Sequence, residues 1–145
     1  MNFLENLDHC ICANLRRASR VITQAYDDSF RSLGLRATQI IILINASKNS
    51  AVTVNALSSQ LSMDRTTLTR NLRPLERSGL IQVGIGKDRR AKAITLTHKG
   101  KAVLGKAFPL WKVRQAALVK SLGENGCRDL LKKIDHLTRA LESRR

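Results

Sequence analysis

Asp64-Arg65-Thr66-Thr67-Leu68-Thr69-Arg70-Asn71-Leu72-Arg73-Pro74-Leu75-Glu76-Arg77-Ser78-Gly79 is the stretch whose reading decides the fold. Asp64 has the side chain of an N-cap, Leu68, Leu72 and Leu75 recur at i, i+4 and i+7, and Gly79 can stop a helix in the left-handed conformation. One face is therefore apolar, and the other carries Arg65, Thr66, Thr69, Arg70 and Arg73. Pro74 lacks a backbone donor and crowds the carbonyl of Arg70, which predicts a kink confined to the last turn.

Reading backwards, Thr53 is placed to cap a shorter helix that turns Ala56, Leu57 and Leu61 inward, and only a short turn separates it from Asp64. Ala51-Val52-Thr53 is short and partly β-branched. Before it, Thr38 is read as the cap of a helix through Asn45, whose Ile40-Ile41-Ile42-Leu43-Ile44 run predicts burial on nearly all sides. The first helix is long, of about 25 residues or more, with Leu4, Leu7, Ile11, Leu15, Ala18, Ile22 and Ala25 stepping by three or four until Gly34. Such a stripe exceeds what a small core needs and predicts packing on a second copy.

Reading forwards, Ile81, Val83 and Ile85 alternate with polar or small residues, Gly86-Lys87-Asp88-Arg89-Arg90 turns, and Ile94 and Leu96 alternate again: a basic β-hairpin. Thr97 then caps a helix carrying Val103, Leu104, Ala107, Trp111, Leu118 and Leu122, bent at Pro109 and ended by Gly123 and Gly126. A last helix carries Leu130, Ile134, Leu137 and Leu141. The expected class is mainly α with a small β-wing: a winged helix-turn-helix over 35–98, between dimerisation helices at 1–34 and 99–145.

Composition narrows the partner. The chain has 145 residues, 26 Lys and Arg against 11 Asp and Glu, and a formal net charge of +15. Positive charge avoids residues 1–30 and gathers after them, so a polyanion is the expected ligand. Aromatics at 3% argue against a row of stacking platforms for single strands. Nucleic acid, an anionic membrane surface and an acidic protein all satisfy the charge, and arrangement has to choose among them. No apolar run approaches a membrane span, and Glu5 and Asp8 stand where a signal peptide would be basic, so a cytoplasmic protein is expected.

An α-helix fits the major groove of B-form DNA, and a thin arginine-tipped loop fits the minor groove. Arg65 and Arg70 carry the donor fork for guanine, Asn71 can pair with adenine, and Thr66, Thr67 and Thr69 suit phosphates or a thymine methyl. Arg73 extends the same face, and Lys87, Asp88, Arg89, Arg90 and Lys92 belong to the wing. Two helices, a short turn, an outward Arg/Thr face and a basic hairpin in that order predict a sequence-specific, double-stranded DNA-binding transcriptional regulator. A nonspecific DNA-organising protein and a protein-interaction winged helix share these features; equal affinity for unrelated duplexes marks the first, poor competition by DNA the second. Two recognition helices related by a twofold axis would occupy half-sites about one DNA turn, roughly 10 bp, or a multiple of it apart.

Asp64 to Leu72 as quoted, Leu75-Glu76-Arg77-Ser78-Gly79-Leu80-Ile81, Asp88-Arg89-Arg90-Ala91 and Leu96-Thr97-His98-Lys99-Gly100 together resemble the winged-helix signature of MarR-type (multiple antibiotic resistance) regulators. The long first helix, Pro109-Leu110-Trp111 and the final helix are similar to that family's dimerisation elements. The resemblance implies a homodimeric bacterial transcription factor, usually a repressor, that binds a pseudo-palindromic operator and is released by a small ligand or by thiol oxidation. It also implies that Asp88 orients the wing through an ion pair and that Arg90 enters the minor groove.

Cys10, Cys12 and Cys127 are an odd set, read as reduced thiols rather than a disulfide framework. Two residues apart on a helix, Cys10 and Cys12 would point about 200° apart and could not bridge each other. The redox reading makes Cys10 or Cys12 a peroxide-sensitive thiolate resolved by Cys127 of the partner subunit; the alternative is buried structural cysteine. The family's thiol-sensing branch places tyrosines on the second helix, whereas the single tyrosine here, Tyr26, falls on the first. His9, His98 and His136 are isolated, so neither metal nor cofactor is expected, and no nucleophile-base pairing suggests an enzyme. Phe108 and Trp111 can line a ligand pocket or be ordinary core, and the sequence assigns no ligand residue.

Overall fold

The structure is a computed structural model, described here over residues 9–86 and 91–143. Its elements are α1 (Ile11–Phe30), a 3-10 turn (Arg31–Leu33), α2 (Ala37–Ser47), β1 (Val52–Thr53), α3 (Val54–Gln60), α4 (Arg65–Arg77), β2 (Ile81–Ile85), β3 (Lys92–Leu96), α5 (His98–Leu122) and α6 (Glu124–Glu142). The chain divides into two units, Met1–Trp111 and Lys112–Arg145.

The first unit is built around α4. Leu68, Leu72 and Leu75 are buried with Ile42, Leu43 and Ala46 of α2, Leu57 of α3 and Ile81, Ile94 and Leu96 of the sheet. Each fully buried leucine contributes about 1.5–3 kcal/mol, so this triad fixes which way α4 faces. Gly79 ends the helix at φ +68°. Its N–H donates to Glu76 O at 2.9 Å and the N–H of Leu80 donates to Leu75 O at 2.9 Å, the paired bonds by which a left-handed residue closes a helix. The helix continues through Pro74, whose carbonyl accepts the N–H of Ser78 at 3.0 Å.

The hairpin pairs Ile81 with Leu96, Val83 with Ile94 and Ile85 with Lys92 in antiparallel register. The sequence reading missed that β1 joins it: Val52 pairs with Ile94, giving the order β1-β3-β2. Two residues of strand are too few to show a period, so only tertiary pairing reveals this element. Thr97 locks the start of α5 to the end of α4, because its hydroxyl accepts the N–H of Gly100 at 3.0 Å and donates to Gly79 O at 2.7 Å.

Several local expectations are corrected. Thr38 is not a cap: α2 begins at Ala37 after Arg36, whose N–H donates to Gln39 Oε1, and the N–H of Ala37 donates to Asp27 Oδ1 at 2.7 Å. A distant carboxylate thus fills the role assigned to the local hydroxyl. The run at 40–44 is not buried all round; Ile40, Ile42 and Leu43 are, but Ile41 is 47% and Ile44 40% exposed, as a helical turn inside a one-sided core requires. Ala56 is exposed rather than inward. In α1 the described helix starts at Ile11, and Cys10 precedes it in an extended conformation, so the angular separation expected for two helical cysteines does not apply. Only Gly123, at φ +72°, separates the last two helices; Gly126 lies inside α6.

A second buried group, Phe30, Ala37, Ile40 and Ala107, joins α1, α2 and α5 within the same unit, with Tyr26 stacked on Phe30 at 6.2 Å. Large apolar side chains remain exposed on α1 (Ile11, Leu15, Ile22) and, in the second unit, on α6 (Leu130, Leu131, Ile134, Leu141). Leu130, Ile134 and Leu141 belong to the stripe expected from the sequence, whose fourth member, Leu137, is half-buried, and Leu131 adds to it.

Candidate nucleic-acid interface

The site begins with a cap. Asp64 accepts the backbone N–H of Thr67 at 2.8 Å on one carboxylate oxygen and the Thr67 hydroxyl on the other. Those bonds, the hydroxyl's first, hold the Asp64 carboxyl below the usual carboxylate range, so it is ionised at neutral pH. The cap fixes the first turn, and the leucine triad then turns Arg65, Thr66, Thr69, Arg70 and Arg73 outward, all exposed. None of the three arginines has a side-chain hydrogen bond or ion pair with another described residue.

Two other residues read as DNA contacts are engaged locally. Thr67 is half-buried and bonded to Asp64, and the half-buried Asn71 donates through Nδ2 to Thr67 O at 2.9 Å. Their positions, between the buried and outward stripes, explain both.

The outward face is further divided. Arg65, Thr69, Arg73 and Glu76 line a cleft of about 550 Å³ with Asn55 of α3 and Lys92 of β3. Thr66 and Arg70 lie outside it. Asn55 and Glu76 escaped the sequence reading; a helix crossing the phosphate backbone before the recognition helix is the general feature that points to Asn55. Of the wing residues, Lys92 is exposed at the first position of β3, next to the turn, whereas Lys87, Asp88, Arg89 and Arg90 lie outside the described residues.

Against known proteins, residues 35–92 match the MarR family. The organic hydroperoxide resistance transcriptional regulator of Bacillus subtilis (strain 168) is 30% identical over 105 residues, covering 72% of this chain and 71% of the relative. The chain belongs to the MarR family. The M. tuberculosis transcriptional regulator MosR, solved in complex with DNA, is similar at 42% identity and a TM-score of 0.82, over 94% of this chain and 98% of that one. A mutant of E. coli MarR complexed with operator DNA superposes with a TM-score of 0.84 at 20% identity, over 94% and 99% of the two chains, which shows the shared fold. As a MarR-family protein the chain is a sequence-specific DNA-binding transcriptional regulator, not an enzyme.

Two further features of this MarR-family regulator bear on control. In the single chain Phe108 and Trp111 are 59% and 38% exposed, stack at 5.9 Å, and line an apolar pocket of about 330 Å³ with Ile40, Ile44, Leu104 and Ala107. The cysteines are not buried in the single chain either: Cys12 is exposed, and Cys10 and Cys127 are half-buried.

Proposed function

We propose that two copies of this MarR-family chain form a homodimer that represses transcription by occupying a pseudo-palindromic operator. Each copy lays α4 in a major groove and its wing, tipped by Lys87, Asp88, Arg89 and Arg90, along the adjacent minor groove. The observation that carries the reading is the orientation of α4: a capped helix, pinned by three buried leucines, presents exposed arginines and threonines on its outward side. Arg65, Thr66, Thr69, Arg70 and Arg73 make the direct contacts, Thr67 and Asn71 support them from within the helix, and Arg90 reaches the minor groove. Residues 35–98 are the DNA-binding part. Residues 1–34 and 99–145 pair the two copies, which would cover the exposed leucines and isoleucines of α1 and α6.

Release comes from a small molecule or from thiol oxidation. The pocket beside Trp111 supports a small, largely apolar inducer, since its lining offers almost no polar group. No described helix is long and apolar enough to cross a membrane, which agrees with a cytoplasmic, nucleoid-associated regulator.

Binding to operator and unrelated duplexes, titrated against salt, tests the reading. Neutralising on the order of eight phosphates predicts a log–log slope near −7. Arg70→Ala should cost roughly 1–3 kcal/mol and relax preference at one base, while Arg90→Ala weakens every duplex alike. Equal losses on all sequences for both variants would indicate a nonspecific DNA-organising protein. A flat salt dependence would indicate that the basic face meets a protein.

A further inference from the structure

The cleft beside the recognition face is a seat of its own. Its polar and charged lining is gathered from several elements, with Asn55 from α3, Arg65, Thr69, Arg73 and Glu76 from α4, and Lys92 from β3. Three cations face one carboxylate there, and neither Asn55 nor any of the cations has a side-chain hydrogen bond or ion pair with another described residue. Converging cations that meet only one carboxylate among the described residues repel one another, so the cleft gains most from an anion. Glu76 faces the same space, which leaves the excess charge moderate and favours a singly charged group over a polyvalent one.

From this geometry we infer that the cleft holds one phosphodiester of the DNA backbone in each half-site, with Arg73 and Lys92 neutralising it and the Asn55 amide donating to it. The inference rests on the DNA-binding reading above and adds a contact absent from it. A phosphate held between α3, α4 and the start of β3 fixes the depth and register of α4, while Thr66 and Arg70, outside the cleft, remain available for base edges. Asn55 thus becomes a positioning residue for readout, acting through the backbone.

The test uses the full-length protein and a duplex it selects from a random pool. Single phosphates in that duplex are replaced one at a time by neutral methylphosphonate. For the unaltered protein, one position per half-site is expected to lose about tenfold in affinity. Asn55→Asp, at an exposed position of α3, should lose about tenfold on every fully charged duplex. It should then regain affinity with the neutral linkage at that same position, because the introduced carboxylate no longer faces a charge. Lys92→Gln should reduce the salt slope by about 1. If the unaltered protein binds with a steep salt slope but every methylphosphonate loss is the same in Asn55→Asp, the seat is wrong and DNA binding stands. If the unaltered protein shows no salt-dependent duplex binding, the parent reading fails and takes this one with it. Inorganic phosphate at matched ionic strength that displaces DNA from the unaltered protein but not from Asn55→Asp would assign the seat to a free anion and overturn the backbone contact.

Discussion

Asp27 Oδ1, in the last turn of α1, accepts the N–H of Ala37, the first residue of α2, at 2.7 Å across ten residues of chain. The end of one helix therefore caps the start of the next, and the proposed dimerisation helix is fastened to the winged helix by a charge-assisted bond at a helix N-terminus. Asp27→Ala should lower stability by about 1 kcal/mol, seen as a drop of about 0.5 M in the urea midpoint at fixed protein concentration. An unchanged midpoint would show that the two helices hold together without it.

Gly100 and Gly79 should respond to alanine for different reasons. A Cβ on Gly100 would sit 2.2 Å from Leu80 O and 2.7 Å from Leu96 Cδ1, and the backbone oxygen cannot step aside cheaply. A Cβ on Gly79 meets nothing within 4 Å, but the residue has φ +68°. Gly100→Ala is expected to cost about 3 kcal/mol through overpacking, Gly79→Ala about 1 kcal/mol through backbone strain. Thermal unfolding of both variants checks the order, and a Gly79 variant as damaged as the Gly100 variant would contradict it.

Asp64 gives an acid-side signature. Hydrogen bonds from the Thr67 hydroxyl and then the Thr67 amide lower its carboxyl below the unfolded value. A depressed folded pKa contributes stability above the unfolded pKa, about pH 4, that is lost as the pH falls through the folded value. Asp64→Ala should therefore lower stability at pH 6 and flatten its fall towards pH 2.5 relative to the unaltered chain. Urea midpoints at several pH values would show parallel curves if the cap were irrelevant.

Mild peroxide should join Cys10 or Cys12 to Cys127 of the partner subunit and lower operator affinity, with reductant restoring both. In the single chain Cys12 is exposed and Cys10 and Cys127 are half-buried. Non-reducing mass spectrometry alongside DNA titration decides it: thiols that stay free while affinity is unchanged would leave release to a small ligand alone.

Helix existence and polarity were legible because they depend on near-neighbour spacing. Asp64 to Gly79 carries its cap, its apolar stripe and its stop within one segment, and Thr53 and Thr97 cap as read, bonding the N–H groups of Ala56 at 3.1 Å and Gly100 at 3.0 Å. The outward face of α4 followed from the same spacing, since a helix pinned by Leu68, Leu72 and Leu75 has no other side to show.

The sequence by itself thus determined the order of elements, the hairpin and the outward face of the recognition helix, all of them set by residues within about one helical turn or one strand pair of each other. Only the tertiary structure decided that Asp27 rather than Thr38 serves the start of α2, that β1 joins the hairpin, that Ile41 and Ile44 face out, and that Asn55, Arg73 and Lys92 share one cleft. Each of these depends on segments meeting across many residues, and the packing that brings them together leaves no periodic trace in the chain.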